Sequence, residues 1–216
     1  MSSDRERRIP EPTLGRVPRY LAALRGLRRG REGTVSSARL GREAGTEAAL
    51  VRRDLSYFSC VGQPGVGYEI EELLGALQAA LGPPGRRPLV LIGAGPLGAA
   101  LAGYAGFEMA AYELVGIFDA NPARVGHHLQ GLPVRPMNEL ARVVVETEVR
   151  LGLLAVPAAR APEAAAQCAA AGLRGLLTFA PGHLQAPPGI QVRPVDVSGE
   201  LAILDYQVRQ SINDNR

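Results

Sequence analysis

The sharpest chemical signature in the chain is Gly93-Ala94-Gly95-Pro96-Leu97-Gly98, directly after the apolar run Leu89-Val90-Leu91-Ile92 and directly before a helical pattern. Each glycine has a task in a turn that cradles a pyrophosphate. Gly93 permits the tight turn, Gly95 lets the backbone approach the phosphates, and Gly98 allows close packing of helix on strand. Pro96 suits the first helical turn, where no bond from its nitrogen is missed. The unpaired N–H groups at such a helix start face an anion. The next apolar run ends in Asp119, roughly 20 residues after Gly98, the spacing of the acid that accepts both ribose hydroxyls of an adenosine. A carboxylate there repels a 2′-phosphate and favours NAD(H) over NADP(H).

Two later strand ends would face the same crevice. Ala155-Val156-Pro157 and Phe179-Ala180 are small, apolar and flanked by proline, and suit one face of a nicotinamide; ordinary loop prolines account for the spacing equally well. The missing groups narrow the chemistry further. All 24 basic residues are arginine, so a Tyr-x-x-x-Lys dehydrogenase and lysine Schiff-base chemistry are excluded. His127, His128 and His183 have no carboxylate at a useful spacing for acid–base work. Cys60 and Cys168 lack the spacing of a metal site or of a disulfide framework, so no metal is expected.

Charge is divided unevenly along the chain. Residues 1–87 hold 15 arginines against 10 acids, net +5, whereas residues 88–216 hold 9 against 11, net −2. A basic first half points to a polyanion partner. There, Arg52 and Arg53 lie off the Val51, Leu55, Phe58 stripe of a short helix, where they can meet phosphates or guanine edges. Two solvated arginines on a surface helix are the plainer reading. The surrounding motif is what favours the sharper one.

The elements that must position these residues are legible from their periods. Val17, Tyr20, Leu21, Leu24 and Leu27 form one helical stripe ending near Gly30. Ser36 or Ser37 can cap a second helix that stops at Gly45, and Thr46 a third with Glu47 in its first turn. Two helices joined by a tight glycine turn make a helix-turn-helix. Residues 61–70 then read as a hairpin tip, a wing, and Leu73, Leu74, Leu77 and Leu81 as a further helix. Gly82-Pro83-Pro84-Gly85-Arg86-Arg87-Pro88 cannot sit inside a helix or a central strand and is read as a linker. Beyond it, strand-sized runs at 89–92, 114–118, 151–156, 175–179 and 190–195 alternate with helical stretches at 96–104, 137–146 and 160–171. The expected fold is therefore α/β: an N-terminal winged helix-turn-helix domain over 1–81, a linker over 82–88, and a Rossmann doubly wound parallel-sheet domain over 89–197. No run is apolar enough to span a membrane and the N-terminus lacks a secretory pattern, so a cytoplasmic protein is expected.

In this order the pieces resemble the Rex family of bacterial redox-sensing repressors, from about Ile9 to Tyr206. The resemblance is carried by IPEPTLGRVPRYL at 9–21, VSSARLG at 35–41, VRRDLSYF at 51–58, GVGY at 65–68, GAGPLG at 93–98, GYAGF at 103–107, FDANPARVG at 118–126, LLAVPA at 153–158, GLLTFAP at 175–181 and VDVSGEL at 195–201. It implies a homodimer that binds double-stranded operator DNA, reads the NADH/NAD ratio, and leaves the operator when NADH binds. It further implies a recognition helix carrying Arg52 and Arg53; Ser36, Ser37, Ser56, Tyr57 and Gln63 are expected to complete the DNA-facing set. Gly93, Gly95, Leu97, Gly98 and Asp119 match the cofactor site, and Tyr104 and Asp196 match a pair that couples cofactor to dimer geometry. A C-terminal helix over 198–216 would be exchanged between subunits through Leu201, Ile203 and Leu204. The chain departs from the family pattern at Leu50, at Gln63-Pro64, at Ala22 and at Thr178. The alternatives are a small NAD-dependent oxidoreductase and a nucleotide or coenzyme A module with a helical interaction domain. The absent acid–base groups argue against an enzyme, and too few residues follow the linker for a substrate domain.

Overall fold

The structure is a computed structural model that describes residues 9–82, 85–182 and 184–214. It divides into two compact units between Pro84 and Gly85.

The first unit is built on α1 (Glu11–Arg29), which buries Val17, Tyr20, Leu21, Leu24 and Leu27 as its period requires and is closed by Gly30. A two-residue strand, β1 (Thr34–Val35), leads into α2 (Ser37–Ala44). Ser36 is the cap of α2, its hydroxyl accepting the Arg39 N–H at 3.1 Å. Gly45 ends α2 at φ +66, the left-handed conformation that favours glycine. The turn into α3 (Ala48–Leu55) is tight, because a side chain on Gly41 would run into the Thr46 backbone. The cap of α3 is Glu47, not Thr46. The Thr46 N–H is still bonded to the Gly41 carbonyl at 2.8 Å, so the chain enters the helix one residue later than the sequence suggests. Phe58 is also only partly buried, since α3 ends at Leu55 and gives way to a 3-10 turn over Ser56–Phe58.

The wing forms as expected but pairs differently. Pro64 and Gly65, the latter at φ +79, make the corner of a turn closed by the Val66 N–H on the Gln63 carbonyl, and Gln63 bridges Gly67. β2 (Tyr68–Glu69) then pairs antiparallel with β1, which lies before the helix-turn-helix and carries no sequence period of its own. Finally α4 (Ile70–Ala80) packs on α1, burying Ile70, Leu73, Leu74 and Leu77; Leu81 lies beyond its end and is exposed.

The second unit is one seven-stranded sheet: β3 (Arg87–Ile92), β4 (Tyr112–Asp119), β5 (His128–Leu129), β6 (Leu132–Pro136), β7 (Leu151–Leu154), β8 (Gly175–Thr178) and β9 (Gln191–Pro194), in the order β5-β6-β4-β3-β7-β8-β9. All pairings are parallel except β5 with β6, an edge hairpin too short to show a period. The sheet order reverses between β4 and β7 around β3, so a crevice opens beyond the carboxyl ends there. β3 sends Val90 and Ile92 into one core layer and Leu89 and Leu91 into the other, which is why it reads as a continuous apolar run. Arg87 and Pro88, expected in the linker, belong to this strand. Pro88 is tolerated because only β4 flanks it, β7 pairing from Leu89 onward. The helices are α5 (Pro96–Ala102), α6 (Ala105–Met109), α7 (Leu140–Thr147), α8 (Ala161–Ala170) and α9 (Val197–Asp214). The helix expected over 96–104 is α5 alone, ending at Ala102 with Gly103 as its cap, and α6 follows beyond the expected range. Among the described residues no helix is long and apolar enough to cross a membrane.

Candidate dinucleotide cavity and DNA-facing surface

A cavity of about 750 Å³ opens at the crevice beyond β3, β4 and β7. Of the expected cofactor residues, Gly93, Gly95, Pro96, Leu97, Asp119, Ala155, Val156, Pro157 and Phe179 line it. Gly98 sits beneath the loop, where a Cβ would collide with the Gly93 carbonyl oxygen; the close helix–strand approach is real and admits glycine alone. Gly93, at φ +102, is held against the Ala155 backbone. Ala94 does not line the cavity but contributes its N–H, and Ala180 is buried, its N–H donated to the Thr178 hydroxyl at 3.2 Å.

Asp119 is the electrostatic centre of the cavity. Its carboxylate is 6% exposed and accepts the N–H groups of Ala94 and Asn121, each at 2.7 Å, and Nη1 of Arg124 at 3.1 Å. Burial alone would raise its pKa, but the two backbone donors and the Arg124 guanidinium outweigh that and hold it below the usual range. The carboxylate is therefore ionised and aimed at the cavity. Sequence reasoning missed Arg124, which stands five residues after the acid in the turn that follows β4; that spacing was the available signal. It also missed Met137 and Ala164, which form an apolar pad with the expected Val156, and the polar side chains of Arg160, Glu163 and Gln167 on the α8 side.

In the first unit Arg52 and Arg53 are exposed on α3. Arg52 donates from Nη1 to the Ser37 hydroxyl at 3.0 Å, joining α3 to the start of α2, and its charge acts on the Tyr68 phenol of the wing strand, whose pKa burial raises. Ser36 and Ser56 are exposed, each bonded to backbone; Tyr57 is half-buried in the 3-10 turn, and Gln63 stands exposed at the wing corner. What holds α3 in place is a buried cluster absent from the sequence reading. Asp54, 1% exposed, accepts Thr13 Oγ1 at 3.0 Å, Tyr20 Oη at 2.7 Å, and Arg16 through Nε at 2.6 Å and Nη2 at 2.8 Å. Burial would raise the Asp54 carboxyl, yet these donors hold it low; burial and Asp54 push Tyr20 up to about 12. The signal lay in Asp54 standing three residues after Val51, on the face that α3 must bury.

Tyr104 and Asp196 do not bond each other among the described residues. The Tyr104 ring packs edge-on against Phe107 at 5.1 Å, and Asp196 caps α9 by accepting the Gly199 N–H at 2.9 Å. His183 lies outside the described residues, and among those described no group of three or more His, Cys, Asp or Glu side chains could hold a metal.

Fold and site together define a winged-helix regulator joined to a Rossmann nucleotide domain. Comparison with known proteins agrees. Residues 8–56 match the family model described as "Putative DNA-binding protein N-terminus", and residues 86–182 match the CoA binding domain. The chain is 39% identical to a Redox-sensing transcriptional repressor Rex of Streptomyces coelicolor, over 97% of this chain and 81% of that protein. It is also 39% identical to one of Carboxydothermus hydrogenoformans, over 94% and 98%. Among solved structures, RSP in complex with β-NAD+ and operator DNA superposes with a TM-score of 0.85 at 29% identity, over 96% of this chain and 95% of that one; RSP with β-NADH gives 0.84 at 28%, over 96% and 98%. This chain belongs to the Rex family of redox-sensing transcriptional repressors.

Proposed function

We propose that the protein is a homodimeric repressor that binds double-stranded operator DNA and releases it when NADH occupies the cavity around Asp119. The observation that carries this reading is one chain joining an arginine-bearing recognition helix, pinned by Asp54, to a cavity whose glycine cradle and ionised acid suit a dinucleotide. The cradle fits the ligand, since the space over Gly95 is filled only by the flexible Arg124 side chain. Gly93, Gly95, Pro96 and Leu97 would hold the pyrophosphate, with Ala94 and Gly98 shaping their loop. Asp119 would hold the adenosine ribose, and Ala155, Val156, Pro157, Phe179 and Ala180 would border the nicotinamide. When bound, the cofactor supplies a ring whose charge and shape change with its redox state. The protein is a repressor rather than an enzyme.

Ser36, Ser37, Arg52, Arg53, Ser56, Tyr57 and Gln63 would face DNA, the arginines meeting phosphates or guanine edges. α9 would pack on a second subunit. Every residue from Leu201 to Asn213 is exposed, and Val197, Leu201, Leu204, Val208 and Ile212 form a stripe at spacings of three and four that asks for a partner. Tyr104 and Asp196, which do not bond each other among the described residues, would meet across that dimer and couple cofactor to operator. The protein would work in the cytoplasm.

NADH must bind the DNA-incompetent geometry more tightly than the competent one, or nothing shifts. Titration of a palindromic operator by fluorescence anisotropy tests this: NADH should weaken binding at least about tenfold, with NAD+ having a smaller effect. Operator affinity indifferent to both would overturn the sensor reading. The match to a CoA binding domain favours one second reading, a coenzyme A site in the same cavity. Mass spectrometry of ligand retained by the purified protein separates the two.

A further inference from the structure

The cavity around Asp119 also contains a positive charge, the guanidinium of Arg124. Arg124 leaves the turn after β4, where its N–H bonds the Asn121 carbonyl at 3.0 Å and its carbonyl accepts the His127 N–H at 3.2 Å. Its side chain is 43% exposed and lines the cavity. Nη1 lies 3.1 Å from Asp119 Oδ2. The same guanidinium reaches across the glycine loop: a Cβ on Gly95 would meet its Nη1, Cζ and Nη2 at 3.8 to 3.9 Å. One edge of the fork is therefore engaged by the acid while the guanidinium overhangs the residue whose missing side chain makes room for phosphates. Arginine is suited to that place, because its five donors cannot all be used by one carboxylate oxygen.

We propose that Arg124 is a ligand-binding residue of this cavity, anchored by Asp119 and donating to a phosphate oxygen of the dinucleotide's pyrophosphate. The inference rests on the cavity being the dinucleotide site. It has two consequences. Asp119 is charge-compensated, so exclusion of a 2′-phosphate by its charge is weaker than the acid alone would give. And Arg124 serves the adenosine diphosphate half, common to NADH and NAD+, so it sets affinity for both without setting the ratio between them.

The test is calorimetric titration of the full chain and its R124Q and R124K variants with adenosine, ADP, NADH, NAD+ and NADPH. Loss of a charge-assisted contact should weaken ADP, NADH and NAD+ by about tenfold each in R124Q, adenosine by less than about twofold, and R124K should recover part of the loss. An unchanged melting curve for R124Q, expected of a partly exposed side chain, shows that the site is intact. ADP and NADH binding unchanged in R124Q overturns the proposal. A loss confined to NADPH overturns it by placing Arg124 on a 2′-phosphate, and an equal loss for adenosine does so by reducing Arg124 to an orienter of Asp119. If the unmodified chain binds neither NADH nor NAD+, the functional reading itself fails, an outcome distinct from all of these.

Discussion

Thr13, Arg16 and Tyr20 direct four hydrogen bonds to the Asp54 carboxylate, so the residue that ties α3 to α1 is a buried charge that is fully paired. Removing one partner of such a pair is far costlier than the net value of the pair, because it strands the other. Asp54→Asn should destabilise the first unit by about 3 kcal/mol in urea unfolding. The pH dependence has a definite sign. The folded Asp54 carboxyl sits below its usual value, so it contributes stability in full above the unfolded pKa, and that stability is lost as pH falls through the folded one. The acid limb of the stability profile should therefore flatten in the variant. An unaltered acid limb would show that another carboxylate governs it. At this scale the sequence exposed residues that act through type and spacing, such as Gly93, Gly98 and Asp119. It hid those that act through a distant partner. Asp54 meets Arg16 only because two helices pack, and Arg124 became visible only where the turn after β4 folds it back over Gly95.

The wing depends on a close approach between strands that are two residues long. Gly67, at φ +101, presses on Val35, and a Cβ there would strike the Val35 carbonyl oxygen. Gly67→Ala should separate β2 from β1 and lower operator affinity at least about tenfold by gel shift, at a backbone cost of 1–2 kcal/mol on the order of a single left-handed residue. NADH affinity, which belongs to the other unit, should be unaffected; a parallel loss of both would indicate global misfolding. Elements with a period were readable: α1 by its apolar stripe, α2 by Ser36 and Gly45, and β3 by its unbroken apolar run between two covered faces. Elements without one were not. β1, β5 and α6 are two to five residues long and exist through their neighbours' pairing and packing. The Thr46 cap failed because α3 begins at Ala48, which makes Glu47 the residue before the helix.

For the molecule as a whole, the division of charge matches the division of labour, with the basic half carrying α3 and the acidic half the cavity. That separation was legible because it is a sum over many residues; a partner for α9 was expected only through the family resemblance, because an exposed apolar stripe names no occupant. If α9 is the dimer element, a chain ending at Asp196 should sediment as a monomer and lose most of its operator affinity while still binding NADH. A truncated chain that remains dimeric would assign the interface elsewhere. The exposed stripe on α9 has a quantitative corollary for gene control. Where assembly is incomplete, the number of dimers rises with the square of the monomer concentration, so operator occupancy follows the amount of repressor more steeply than in proportion. Copy number would then act as a second input beside the redox ratio, and a cell that halves its stock of this protein would lower dimer supply by up to about fourfold, the limit reached where most chains are monomeric, without any change in NADH.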